Sequence, residues 1–177
     1  MSILVLGGAG YIGSHTALEL IRTGESVIIA DNLATGHIEA VPKDAKFYLG
    51  DLHDKAFLDN IFENEQIDAV IHFAAYSLVG ESVVNPLKYY DNNLCGTKIL
   101  LDSMVEHHID KIVFSSTAAT YGEPEIFRFL KQTEHSQPIH MVKPNLLWRD
   151  VLLDFKSSWS KIRFSPLFQC LRSRQIR

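Results

Sequence analysis

The chain of 177 residues lacks the features that mark secreted, membrane-spanning or nucleic-acid-binding proteins. Its only two cysteines, Cys95 and Cys170, are too few and too far apart for a disulfide framework or a metal knuckle. No apolar run approaches membrane-spanning length, and no basic N-terminal segment leads into an apolar stretch. The net charge is −4, no basic run occurs in the first two-thirds, and the eight histidines show no ligand spacing. We therefore expect a cytoplasmic protein without membrane, nucleic-acid or metal partners.

Apolar residues make up 46% of the chain, which is enough for a core, and a length of 177 residues predicts one domain, or one domain and a fragment. Short apolar runs alternate with segments of helical periodicity, of which the longest begins near Pro86 and reaches His107. Strands that are almost continuously apolar and alternate with helices indicate a parallel sheet covered on both faces. The predicted strands are Ser2–Leu6, Ser26–Ala30, Lys46–Leu49, Asp68–Phe73 and Lys111–Phe114.

Three glycines, Gly7, Gly10 and Gly13, separate the first strand from a segment in which Leu18 and Ile21 recur at helical spacing. Glycines here permit a tight turn and the close approach of a pyrophosphate to a helix N-terminus. The second strand ends in an acid, Asp31, at the distance where such folds hold the adenosine ribose, although Asp31 and Asn32 could simply open a turn. No arginine follows closely to receive a 2′-phosphate, which favours NAD over NADP. The pattern predicts a Rossmann-type, doubly wound α/β fold.

Polar and small residues occur where each predicted strand ends. These positions are Gly7–Gly13, Asp31, Asp51, Phe73–Ala75 and Ser115–Thr117. Ligands of open parallel sheets bind beyond the carboxyl ends of the strands. The sequence therefore predicts one site at this edge of the sheet.

The same positions carry a family resemblance that runs from Met1 to about Glu125. The chain resembles the UDP-glucose 4-epimerases, extended short-chain dehydrogenases/reductases that interconvert UDP-glucose and UDP-galactose. The resemblance implies hydride transfer to a bound NAD through a 4-keto intermediate, in galactose metabolism. It rests on Gly7-x-x-Gly10-x-x-Gly13, Asp31-Asn32-Leu33, Gly50-Asp51-Leu52, His72-Phe73-Ala74-Ala75, Val79-Gly80-Glu81-Ser82, Tyr89-Tyr90-Asp91-Asn92-Asn93 and Phe114-Ser115-Ser116-Thr117-Ala118-Ala119-Thr120-Tyr121-Gly122.

The resemblance assigns each cofactor group to a set of positions and Thr117 to the catalytic hydroxyl that helps move the sugar 4-OH proton. Ser77 replaces a lysine found in some relatives, and Asn32 and Ser115 complete the cofactor-binding set. The resemblance implies that the pyrophosphate is bound by Gly7, Gly10, Tyr11, Ile12 and Gly13, and the ribose by Asp31. It implies that Asp51 and Leu52 lie at the adenine. It also implies that the nicotinamide is bordered by Phe73, Ala74, Ala75, Ser77 and Asn92.

The catalytic base of the family is missing from the chain. Family members use a tyrosine whose pKa is lowered by a lysine four residues later, and none of the six tyrosines here has such a partner. We expect the family's substrate domain to be missing as well. We therefore expect a truncated chain in which residues 1–125 form the NAD-binding domain and which is itself inactive.

Residues 126–177 are rich in Arg, Lys, Ser, Gln and Phe without a clean period, and we expect an irregular tail with no domain of its own. Suitable codons for Pro138–Trp148, read two bases along, give N-T-Y-G-E-T-K-L-A-M, which contains the missing pair. Codons for Lys161–Cys170, read one base along, give R-Y-V-S-L-R-Y-F-N-V, which also resembles the epimerases. These two matches indicate that the tail is an out-of-frame translation.

Two alternatives stay open. A nucleotide-sugar dehydratase shares this scaffold but carries an Asp-Glu pair where this chain has Ala118 and Ala119. A non-catalytic NAD-binding module is favoured chemically by the missing base.

The family forms homodimers through two helices, of which only the one from Pro86 is recognisable here, so dimerisation is doubtful.

Overall fold

The computed structural model describes residues 1–115, apart from the side chain of Val79. The predicted catalytic residue Thr117, the domain boundary at residue 125 and the tail 126–177 lie outside the described residues. Five parallel strands form one sheet in the order β3-β2-β1-β4-β5. They are β1 (Ser2–Leu6), β2 (Ser26–Asp31), β3 (Lys46–Leu49), β4 (Ala69–His72) and β5 (Ile112–Phe114).

Five α-helices connect the strands: α1 (Tyr11–Arg22), α2 (Lys55–Asn64), α3 (Val79–Val84), α4 (Pro86–Tyr90) and α5 (Thr97–Glu106). A 3₁₀-helical turn spans Ile38–Ala40, and a π-helical segment, Asp91–Gly96, joins α4 to α5. The helix predicted over residues 86–107 therefore has nearly the right extent but contains a π-helical interruption, and α3 was not predicted. None of the helices within residues 1–115 is long and apolar enough to cross a bilayer.

The side chains of β1 and β2 alternate between two cores, one on each face of the sheet. Ile3 and Val5 pack on the α1 side with Ala17, whereas Leu4 and Leu6 pack against α2 and α5. This alternation follows from the pleat of a strand, which points successive side chains to opposite faces. The predicted parallel sheet with helices on both faces is confirmed.

The packing face of α1 agrees only in part with the apolar spacing seen in the sequence. Ile21 packs against the core, whereas Leu18 is 39% exposed. The fully buried residues of the helix are Gly13, Ser14 and Ala17. Small residues on this face let the helix approach the glycine loop and the sheet closely.

Candidate functional site

The loop between β1 and α1 packs so tightly that two of its positions require glycine. Gly7 has φ +75°, and a Cβ atom there would lie 2.7 Å from the backbone nitrogen of Ala74. A Cβ atom on Gly13 would lie 2.2 Å from the carbonyl oxygen of Gly7. Both distances are shorter than any real contact, so the turn and its approach to the chain leaving β4 depend on these glycines.

Gly10 is different, because the protein's own packing leaves room for a side chain there. Among the described residues, a Cβ atom on Gly10 would have only the Gly7 carbonyl oxygen, at 3.4 Å, within 4 Å. Gly10 precedes α1, which has neither a side-chain cap nor an acidic residue in its first turn. The free N–H groups and partial positive charge of the helix N-terminus are thus left to an anion, and glycine at residue 10 lets that anion approach the backbone.

The carboxylate of Asp31, at the end of β2, is buried and holds two loops. Its Oδ2 atom accepts a hydrogen bond from the Ala9 amide at 2.9 Å, and its Oδ1 atom accepts one from the Leu33 amide at 2.8 Å. Leu33 has φ +57°, a left-handed conformation that non-glycine residues seldom adopt. Each oxygen retains a lone pair that can accept a further hydrogen bond, as a ribose hydroxyl would require.

Asn32 and Asp51 meet beside Asp31, where the loops after β2 and β3 come together. The side-chain amide of Asn32 donates from Nδ2 to Oδ2 of Asp51 at 2.6 Å. Burial alone would raise the pKa of Asp51, but hydrogen bonds from the His53 backbone, from Asn32 and from the His53 ring outweigh it and lower that pKa. The site therefore presents a fixed, ionised carboxylate at this end.

The segment that follows β4 is held at both its N–H and its C=O by one side chain of the π-helical segment. Asn93 accepts from the Tyr76 amide at 2.8 Å and donates to the Tyr76 carbonyl at 3.0 Å. Asn92 donates to the same Asn93 oxygen at 2.8 Å. These bonds hold the backbone of Tyr76 against the π-helical segment, and π-helical turns are frequent at functional sites.

A buried histidine continues this network into the core. The Thr97 hydroxyl donates to the Asn93 carbonyl at 2.9 Å, so it accepts from Nε2 of His72, also at 2.9 Å. The other ring nitrogen of His72 has no partner within residues 1–115. Burial lowers the pKa of His72 to about 4, which keeps the ring neutral at physiological pH.

A Tyr–Lys–Glu cluster lies next to the site but cannot supply the missing base. The Tyr89 hydroxyl is 2.8 Å from Glu81 Oε2, and Lys88 pairs with the same carboxylate at 2.6 Å. Burial and then the hydrogen bond to Glu81 raise the pKa of Tyr89 to about 12. A phenol with that pKa stays protonated at neutral pH, whereas a catalytic tyrosine needs the opposite shift. Lys88 also lies over the ring of Tyr76, 4.7 Å from its centre.

These loops enclose a cavity of about 500 Å³ at the carboxyl ends of the strands. The cavity brings together all fifteen predicted cofactor-binding residues; their contacts with a cofactor remain a prediction. They are Gly7, Gly10, Tyr11, Ile12, Gly13, Asp31, Asn32, Asp51, Leu52, Phe73, Ala74, Ala75, Ser77, Asn92 and Ser115.

Seven further residues line the same cavity and were not predicted: Leu6, Ala30, Ala34, Thr35, Gly50, Phe57 and Tyr76. Several of them were within reach of the sequence argument, because Leu6 and Ala30 end strands whose carboxyl ends were already assigned to the site. Phe57 lies on α2 rather than at the end of a strand, and no sequence motif pointed to it. A Cβ atom on Gly50 would lie 2.5 Å from the Phe57 ring, so that glycine admits the ring to the cavity wall.

Strand β1 lies between β2 and β4, so the cavity sits where the strand order reverses, above a glycine-rich strand-to-helix turn. That position and size are typical of the dinucleotide sites of Rossmann folds. Residues 3–145 match the NAD dependent epimerase/dehydratase family. The chain belongs to this family.

The relatives also confirm the resemblance to UDP-glucose 4-epimerases. The UDP-glucose 4-epimerase of Halalkalibacterium halodurans is 62% identical over 124 residues, which are 70% of this chain and 37% of that protein. That of Lacticaseibacillus casei is 46% identical over 172 residues, 97% of this chain and 50% of that protein. The crystal structure of the Bifidobacterium longum enzyme in complex with NAD+ and UDP has a TM-score of 0.86 at 36% identity, covering 93% and 52% of the two chains. The chain spans half or less of the length of the two curated relatives.

Proposed function

We propose that the cavity binds NAD. The observation that carries this proposal is the convergence of all fifteen assigned residues on one cavity of about 500 Å³. In this arrangement the free N–H groups at the start of α1 bind the pyrophosphate, and the space in front of Gly10 lets it approach. Asp31 accepts from the adenosine ribose, Asp51 and Leu52 flank the adenine, and residues 73–77 with Asn92 border the nicotinamide.

The electrostatics of the cavity favour NAD over NADP. No lysine or arginine among the described residues lines the cavity. A 2′-phosphate would have no cationic partner there and would lie against the carboxylate of Asp31. This supports discrimination by charge rather than by size.

The reaction that fits the family, the relatives and the site is 4-epimerisation of a UDP-sugar, which makes this chain the NAD-binding half of a UDP-glucose 4-epimerase. NAD, when bound, supplies the hydride acceptor. The chain's own residues bind and orient it, and Thr117 provides a hydroxyl for the sugar 4-OH proton. The Tyr-x-x-x-Lys pair is absent from the sequence, and Tyr89 is held protonated. We therefore propose that this chain holds NAD without appreciable turnover, in the cytoplasm. Formation of the family's homodimer stays doubtful, because only one of the two helices that form it is recognisable here.

The second candidate function is a non-catalytic NAD-binding module. The same observation favours it, because a cavity with a complete set of predicted NAD contacts is combined with a missing base. Both functions require NAD binding, and turnover of UDP-glucose above background would favour the epimerase over the module.

Calorimetric titration of the full chain with NAD and NADP, followed by an assay with UDP-glucose, tests both parts. We expect NAD to bind and NADP to bind at least about tenfold more weakly, since a 2′-phosphate brings repulsion without a cationic partner. Conversion of UDP-glucose should stay at background. Equal affinities would contradict the charge argument, and turnover above background would contradict the inactivity of this chain.

A further inference from the structure

The imidazole of His53, in the loop between β3 and α2, lies between two carboxylates from different parts of the fold. Its Nδ1 atom is 2.6 Å from Oδ1 of Asp51. Its Nε2 atom is 3.3 Å from the backbone oxygen of Asp91 and 3.6 Å from the Asp91 carboxylate. Asp51 and Asp91 are the charged groups that face the ring within residues 1–115. The ring also lies beside Gly96, where a Cβ atom would be 3.5 Å from Cε1.

These contacts join two walls of the cavity. Asp51 lines the cavity on the loop after β3, and Asp91 immediately precedes the cavity-lining Asn92 on the π-helical segment. The Asn32 amide extends the chain of contacts to the loop after β2. His53 itself does not line the cavity. Its contacts therefore act on the geometry of the site and not on a ligand directly.

The number of contacts that His53 can make depends on its protonation. A neutral imidazole carries one N–H group and can donate to Asp51 or to Asp91, whereas an imidazolium donates to both. Burial lowers the pKa of His53, but the hydrogen bonds and charges of Asp51 and Asp91 outweigh burial and raise it above the ordinary value. The two-sided contact is therefore complete below this pKa and is halved above it.

We propose that His53 is a positioning residue for the adenine end of the dinucleotide site, a latch that closes on Asp51 and Asp91 when the imidazole is protonated. The inference rests on the proposed binding of NAD. A closed latch fixes the Asp51 loop relative to Asn92 before the cofactor arrives, so less ordering remains to be done on binding. Affinity for NAD should accordingly be higher below the pKa of His53 than above it.

Calorimetric titration of the full chain with NAD at about pH 6 and about pH 8.5, at constant ionic strength, measures this dependence. The dissociation constant of the wild type should rise about fivefold over this range, the equivalent of one hydrogen bond. H53Q cannot be charged and should bind weakly at both pH values. H53R keeps a permanent charge with donors on both sides and should bind tightly at both. H108N, at an exposed histidine beyond the C-terminal end of α5, is the matched control and should follow the wild type.

A second measurement follows the latch without any cofactor. Proton NMR of the histidine ring, with the His53 resonance assigned from its loss in H53Q, should give a pKa above 6.5 that falls in D91N. An unshifted His53 pKa, or an H53Q chain with the wild-type pH dependence of NAD affinity, would overturn the latch alone. If no variant binds NAD at either pH, the proposed function fails and the latch inference fails with it.

Discussion

The backbone N–H of Ala9 donates to the carboxylate of Asp31 at 2.9 Å, inside the protein. The glycine loop and the end of β2 are thus fastened together before any ligand binds. The other carboxylate oxygen holds Leu33 in its left-handed conformation. Asp31 therefore has a structural task in addition to the ribose contact proposed for it.

Replacing Asp31 with alanine should lower both stability and cofactor affinity. The Ala9 amide would be left without its buried acceptor, which costs about 1–3 kcal/mol. Urea unfolding without cofactor should show this loss, and NAD titration should show weaker binding. D31N, whose amide oxygen can still accept one of the two hydrogen bonds, should lose less stability than D31A. Unchanged unfolding of D31A would show that the two backbone contacts contribute nothing.

Gly10 and Gly13 give a matched pair that separates ligand binding from folding. A methyl group on Gly13 would be 2.2 Å from the Gly7 carbonyl oxygen, so G13A should be strongly destabilised. A methyl group on Gly10 meets only that oxygen within residues 1–115, at 3.4 Å, so G10A should lose at most about 1 kcal/mol, the cost of alanine at a helix N-cap. G10A should nevertheless bind NAD at least about tenfold more weakly, because the methyl group stands between the pyrophosphate and the helix N-terminus. A G10A chain with wild-type affinity would contradict the pyrophosphate assignment.

Asp59 should prove structural although Ser103 and His107 surround it like members of a catalytic triad. Ser103 and His107 both donate to the Asp59 carboxylate, and Lys55 pairs with it at 2.7 Å. D59A should cost about 1–3 kcal/mol in urea unfolding, since the fully buried Ser103 hydroxyl loses its acceptor, with no change in NAD affinity.

The matched control for D59A is the exposed pair of Lys98 with Asp102 on α5. D102A should stay within about 0.5 kcal/mol of the wild type, because exposed ion pairs contribute little. Equal losses in D59A and D102A would mean that the hydrogen bond from the buried Ser103 hydroxyl to Asp59 contributes nothing to stability.

His72 should make the protein acid-sensitive between about pH 6.5 and pH 4. Its pKa in the folded protein is about 4, below the ordinary 6.5, so the unfolded chain binds the proton more readily. The contribution of the neutral His72 ring to the free energy of unfolding is complete above pH 6.5 and is lost as the pH falls towards 4. The total effect is about 3 kcal/mol at most. H72Q, whose amide can still donate to Thr97, should show a shallower fall of unfolding free energy between pH 7 and pH 5.

The reading-frame hypothesis predicts a feature of the coding DNA. The codons of Pro138–Trp148, read two bases along, should encode a tyrosine followed four residues later by lysine. Sequencing the gene is sufficient to check this. Codons whose shifted frame lacks that pair would rule the hypothesis out and leave residues 126–177 as a native tail.

The ends of the strands could be located from the sequence because each apolar run stops abruptly at a glycine, an acid or a small residue. Parallel strands bring those ends to one edge, so the membership of the site followed from topology. Its internal contacts did not follow. The clamp of Asn93 on Tyr76 depends on the π-helical segment, whose extra residue per turn leaves no apolar period to detect. The approach of His53 to Asp91 joins residues far apart in sequence, which no local pattern encodes.

The central position of β1 also predicts the order in which its two strand pairings form. The pairing of Leu6 with Ala30 closes a short crossover, whereas the pairing of Leu6 with His72 closes a much longer loop. Closing the longer loop costs more chain entropy, so the β1–β4 pairing is expected to follow the β1–β2 pairing. In a partly folded chain the glycine turn and Asp31 would thus be in place, while residues 73–77 would not yet be in position. The complete pocket for a dinucleotide would exist only when folding is nearly finished. Binding of the cofactor would therefore stabilise only those chains in which β4 has joined the sheet.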